Sequence, residues 1–158
     1  MPNFKYSIIG LDPETTAKAS GRDLRISYKK AVEVCRTIKG MKLIDAEEFL
    51  ERVIEMKEMV PYRRYFKSGG HHANKLRRWK WHTGGYPVKA AKHILKVLKN
   101  VEANAEVKGL DISRVRIIHA AAHKSMKIKK FIPRAFGRSS PYFKQLTHVE
   151  IVVEEERE

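Results

Sequence analysis

The chain has 158 residues, a formal charge of +15 at neutral pH and 42% hydrophobic side chains, enough for one domain with its own core rather than a disordered chain. Its single cysteine excludes an internal disulfide framework and a cysteine-rich zinc site. No apolar run approaches the roughly 18 residues of a membrane span, and the opening MPNFKYSIIG lacks the apolar stretch of a secretory signal, so a cytoplasmic protein with no membrane partner is expected.

In chain order, Thr15 to Leu24 reads as a strand, with Ser20 and Gly21 expected to weaken its middle. Ser27 precedes a segment in which Ala31, Val34, Cys35 and Ile38 recur at helical spacing, and Gly40 suits a left-handed stop. This predicts a first helix over Tyr28 to Lys39 with Cys35 as a buried thiol. Asp45 and Glu48 form a capping-box pair for a second helix, whose stripe of Phe49, Leu50, Val53 and Ile54 extends as far as Pro61 permits. Pro87 suits the first position of a third helix, in which Ala90, Ala91, Ile94, Leu95, Leu98, Val101 and Ala105 form the apolar face before Gly109 closes it.

After Asp111 the period changes to two: Val115, Ile117, His119 and Ala121 alternate against Arg114, Arg116, Ile118 and Ala120, and Thr147 to Val153 is β-rich in the same way. The intervening tract has no helical pattern and carries the turn formers Pro133 and Gly137, so an antiparallel ribbon is expected. Arms of about 14 residues at a rise of roughly 3.3 Å would project about 45 Å. A two-stranded ribbon alone in water is marginal, so its order should come from what it binds. The strand from Thr15 would join the roots of the ribbon in a three-stranded sheet.

The charges are segregated. From Ile112 to Val149, 38 residues carry nine Lys or Arg and no acid; from Met59 to Val101, 43 residues carry eleven and again no acid. Such tracts repel themselves unless a polyanion neutralises them. On the ribbon, Lys124, Lys127, Lys129 and Lys130, with Arg134 and Arg138 beyond, look like phosphate contacts. Between Pro61 and Tyr86, four glycines and five aromatic residues accompany Arg63, Arg64, Lys67, Lys75, Arg77, Arg78 and Lys80. So long a loop is usually functional or disordered, and here the aromatics favour ordering on a partner. Trp79 and Trp81 offer rings for unpaired bases, against the plain alternative that one of them packs on the helices. Glu154, Glu155, Glu156 and Glu158 form an acidic, solvated end.

Enzyme and metal chemistry find little support. His71, His72 and His82 share a loop with no Cys, Asp or Glu to complete a tetrahedral site. His119 and His123 would share one face of a strand about 13 Å apart, too far to act as an acid–base pair. Neither a metal nor a cofactor is expected. An autonomous regulator that lays a β-ribbon in a nucleic-acid groove remains an alternative.

Several of these residues resemble the large-subunit ribosomal protein L-twenty-two family. Its pattern of a basic residue, four positions, Arg-Ala-x-Gly-Arg, nine positions, then His and alternating aliphatics is matched by Lys129, Arg134, Ala135, Gly137, Arg138, His148, Val149, Ile151 and Val153. Leu24 to Ala31 is similar to the family's first-helix start, with Tyr28 where many members carry Pro, and Pro87 to Asn104 resembles its third helix. The long Pro61 to Tyr86 insertion resembles the archaeal and eukaryotic branch. The resemblance implies a single α+β domain over 1–158, three helices on a small three-stranded antiparallel sheet, with the strands of 114–153 continuing into a long protruding β-hairpin. It implies a structural role on large-subunit rRNA, beside neighbouring large-subunit ribosomal proteins. Arg25, Lys29, Lys30 and Lys144 then join the expected RNA contacts. A hairpin tip at about 126–138, comprising Met126, Lys127, Ile128, Lys129, Lys130, Phe131, Ile132, Pro133 and Arg134 onward, would face the nascent polypeptide in the exit tunnel.

Overall fold

The computed structural model describes residues 5–67 and 69–156; Glu158 of the acidic end lies outside them. Three helices, α1 (Tyr28–Ile38), α2 (Leu43–Ile54) and α3 (Val88–Val107), cover one face of an antiparallel sheet. The sheet comprises β1 (Thr16–Leu24), β4 (Val115–Ile128) and β7 (Lys144–Glu155), in the order β1-β7-β4. Short pairs β2 (Val60–Pro61) with β3 (Gly84–Gly85), and β5 (Phe131–Pro133) with β6 (Ser139–Pro141), complete the elements. The α+β class with three helices and a three-stranded sheet is as expected.

Alternation on the central strand fixes the core. Val149, Ile151 and Val153 are fully buried towards the helices, and their ladder partners on β1 are Gly21, Ala19 and Ala17. These small residues let α3 approach closely: a Cβ at Gly21 would stand 2.8 Å from Val97 Cγ2. Gly21 therefore serves helix-on-sheet packing, and the strand runs through it, with a register shift only between Gly21 and Leu24.

Two helix starts differ from expectation. α2 begins at Leu43, with Lys42 as N-cap and Asp45 inside its first turn. The buried stripe opens at Leu43 and Ala46, so burial draws the helix three residues earlier than a capping box at Asp45 predicts. Asp45 still favours the positive end of the helix dipole. Pro87 is the N-cap of α3, one residue before its expected position.

The largest difference is a bulge in β4. Ile117 pairs with Val153, but His119 pairs with Val152, so Ile118 is the extra residue. Beyond it the faces exchange: Ala120 and Ala122 join Val115 and Ile117 on the core side, and His119, Ala121 and His123 turn outward. The two histidines converge there. Their Nε2 atoms lie 2.9 and 3.1 Å from the same Glu150 oxygen, which is incompatible with ring nitrogens 13 Å apart. Glu150, on β7 opposite Ala121, is 1% exposed. The Ser7 backbone N–H donates to its other oxygen at 3.1 Å, and the Ser7 hydroxyl donates to the oxygen that the histidines share. One carboxylate thus fastens the N-terminal segment to the outer face of the sheet.

Burial raises the Glu150 pKa, but hydrogen bonds from His119, His123 and Ser7 outweigh it and hold the carboxyl below the usual Glu range. A depressed folded pKa stabilises the fold above the unfolded value of about 4.3 and loses that contribution as pH falls through the folded value. Glu150→Gln should therefore lower stability at neutral pH and narrow its gap to wild type as the pH falls below the unfolded value of about 4.3. Urea midpoints across that range test this; parallel curves would contradict the assignment.

Candidate nucleic-acid interface

Beyond the sheet, β4 and β7 continue as a bare ribbon. Their ladder shifts between Lys124 and Lys127 and ends at Ile128 opposite Lys144. Tyr142 N–H donates to Lys130 O at 2.6 Å across the gap, and Phe131–Pro133 then pairs with Ser139–Pro141. The turn closes with Arg134 N–H to Arg138 O at 2.7 Å, and Phe136 and Gly137 take positive φ values of 58° and 65°. Arg134 and Arg138 thus face each other at the apex. From His123 to Gln145 no side chain is buried, and Lys124, Lys127, Lys129, Lys130, Arg134, Arg138 and Lys144 are all exposed. Among the described residues no ion pair involves any of these bases. Phe131 is 61% and Phe136 97% exposed, so apolar rings also stand in solvent.

The ribbon's root is braced. Asp23, at a left-handed φ of 51°, donates its N–H to His148 Nδ1 at 3.1 Å, and its carboxylate accepts from the Ser125 hydroxyl. The end of β1 is thereby tied to both ribbon arms.

The Pro61 to Tyr86 insertion carries its own order, contrary to the expectation that a partner supplies it. Glu33, 1% exposed in the middle of α1, accepts three successive backbone N–H bonds: Arg63 at 2.9 Å, Arg64 at 2.8 Å and Tyr65 at 2.6 Å. The amides occupy the carboxylate, so the Arg63 and Arg64 side chains stay exposed. Across the loop, Val60 pairs with Gly85 and Pro61 with Gly84, where a Cβ would lie 2.5 Å from Val60 O. Leu76 is fully buried beneath this pair.

The two tryptophans have distinct surroundings. Trp79 meets the buried Phe49 edge-on at 5.6 Å, which is the plain packing role. Trp81 donates its indole N–H to Tyr62 O at 2.7 Å and stacks on His82 at 4.8 Å. Arg78 pairs with Glu58 at 2.9 Å. Arg25, Lys29, Lys30, Lys67, Lys75, Arg77 and Lys80 are exposed. Among the described residues no group of three or more His, Cys, Asp or Glu is arranged to hold a metal ion, and no helix is long and apolar enough to cross a membrane.

Sequence reasoning missed three contributors. Glu33 and Glu150 act on residues 27 or more positions away, and nothing local marks them. Lys89, in the first turn of α3, lines a depression with Arg25 and Lys144; its place in an acid-free tract was the available clue.

The family described as Ribosomal protein L22p/L17e matches residues 19–154. The chain is 52% identical to the large ribosomal subunit protein uL22 of Hyperthermus butylicus, over 99% of both chains. It is 52% identical to that of Ignicoccus hospitalis, over 98% of this chain and 99% of the relative. Against that of Methanocaldococcus jannaschii it is 48% identical, over 98% and 97%.

Replacing Glu33 with Ala should leave three amides without their acceptor and cost about 1–3 kcal/mol, with faster hydrogen exchange at Arg63, Arg64 and Tyr65. Unchanged exchange at those three amides would show that the loop is held elsewhere.

Proposed function

Because the chain belongs to the ribosomal protein L22p/L17e family, we propose that it binds large-subunit rRNA and stabilises its fold, with its hairpin tip lining the nascent-peptide exit tunnel. It is a ribosomal structural protein of the large subunit, not an enzyme, and works on the cytoplasmic ribosome. One observation carries the RNA reading: a ribbon from His123 to Gln145 with no buried side chain, no acid and seven exposed bases. Folded alone, such a ribbon gains little from burial and is opposed by charge repulsion. Against phosphates each exposed base releases a counterion, and the gain offsets the cost of ordering the arms.

The same chemistry divides the ribbon by role. Lysines on the arms suit an RNA backbone, whereas the exposed Phe131, Ile132 and Phe136 near the apex suit a wall that presents apolar surface to a passing polypeptide. The insertion loop, held on α1 through Glu33, offers a second set of phosphate contacts at Arg63, Arg64, Lys67, Lys75, Arg77 and Lys80. Lys127, Lys129 and Lys130 support both readings of the segment, because they lie between root and apex.

Sedimentation separates this role from that of an autonomous ribbon regulator: the chain should co-migrate with the large subunit through moderate salt. With about 10 phosphate contacts, log affinity for rRNA should fall with a slope of roughly −7 to −9 per log salt. Salt-independent binding would remove the electrostatic basis. For the tip, a photo-reactive side chain at Phe136 should cross-link to nascent chains on translating ribosomes; cross-links to rRNA alone would contradict tunnel lining.

A further inference from the structure

Three shallow depressions adjoin around the start of α1. One of about 420 Å³ lies between Tyr28 and Lys124 and includes Ser27, Lys29 and Gln145. Across Ser27 and Gln145 a second, of about 350 Å³, reaches Arg25, Lys89 and Lys144. In the other direction, across Ser27 and Lys29, a third of about 170 Å³ reaches Lys30, Tyr62 and Tyr65. Together they form a groove where the start of α1, the insertion loop and the ribbon root meet. Its one acid, Glu33, is buried, with its oxygens taken by the loop amides.

Two phenol rings stand in this groove. Tyr28 and Tyr65 meet edge-on at 6.3 Å. Lys124 Nζ lies 5.4 Å from the Tyr28 ring centroid, and Lys29 Nζ and Arg64 Cζ lie 5.7 and 5.5 Å from that of Tyr65. Tyr28 is the first residue of α1 and contributes nothing to starting a helix there, since aromatic rings are indifferent helix formers. Half-buried rings bordered by flexible cations suit a nucleotide: the base lies on a ring and the ammonium groups move to its phosphates. A duplex, with its bases stacked inside, would meet the cations but leave the rings unused. The middle depression falls within the roughly 300–1,000 Å³ of clefts that hold small ligands.

We propose that this groove docks an unpaired segment of RNA, with one base on Tyr28 and the backbone passing from Lys29 and Lys124 towards Arg25 and Lys144. The inference rests on the RNA-binding reading above and adds to it the strandedness of the ligand and the residue that recognises it. Stacking on a single ring changes affinity for an unpaired strand by roughly 5- to 100-fold.

The test uses the full chain, a fluorescent oligouridylate of about 10 nucleotides and a blunt RNA duplex of equal phosphate number, both measured by anisotropy at fixed salt. Tyr28→Pro keeps a residue suited to a helix start and removes the ring; Tyr28→Phe keeps the ring. The proline variant should lose about tenfold for the oligouridylate and nothing for the duplex, while the phenylalanine variant binds like wild type. Equal losses on both ligands, or no loss on either, would overturn the groove assignment alone; a wild-type chain that binds neither RNA would overturn the RNA-binding reading. Ultraviolet cross-linking of wild type to the oligouridylate supplies an answer independent of any variant's folding. A cross-link on the Tyr28 or Tyr65 peptide supports the groove, and cross-links confined to the ribbon apex contradict it.

Discussion

A chain of formal charge +15 must fold against its own repulsion, and two carboxylates that it buries completely show how it does so. Glu33 and Glu150 are each 1% exposed. Neither forms an ion pair with lysine or arginine among the described residues. Each instead accepts several hydrogen bonds: Glu33 from the amides that open the insertion loop, Glu150 from two histidines and the N-terminal segment. Buried charge is tolerable only when so satisfied. The remaining acids lie mainly on α2, the end of α3 and the end of β7, leaving the ribbon and the loop with bases alone.

This segregation joins stability to function. The framework closes around β7, whose inward residues are fully buried and whose two edges are paired with β1 and β4. The ribbon leaves that framework at a braced root, where Asp23 reaches both arms; beyond Lys124 its ladder is interrupted, and from there to Gln145 nothing is buried. Rigidity and exposure thus divide along the same two strands. In the proposed function, rRNA supplies the negative charge that the chain withholds from this region; the chain itself belongs to the ribosomal protein L22p/L17e family.

Much of this was legible in the residues. The strict spacing of Ala31, Val34, Cys35 and Ile38 places α1 to within a residue, because apolar periodicity and burial agree there. The exposed cations were legible from the missing acids alone. Contacts that are remote in sequence were not. The bulge at Ile118 reverses the faces of β4 from His119 to Lys124, where a second register shift follows, and neither Ile117 nor Ile118 carries a mark of it. The convergence of His119 and His123 on Glu150 follows from that reversal and from a strand some 30 residues on. The insertion read as partner-dependent because its length and its aromatic residues are visible locally, whereas the Glu33 acceptor that orders it belongs to α1.

Amide hydrogen exchange, resolved by residue on the free chain and on its complex with large-subunit rRNA, tests the central claim most directly. The account predicts that Val149 to Val153 and their partners on β1 and β4 are protected in both states, while Lys127 to Lys144 exchanges rapidly in the free chain and becomes protected on RNA. A ribbon as strongly protected without RNA as with it would contradict the account.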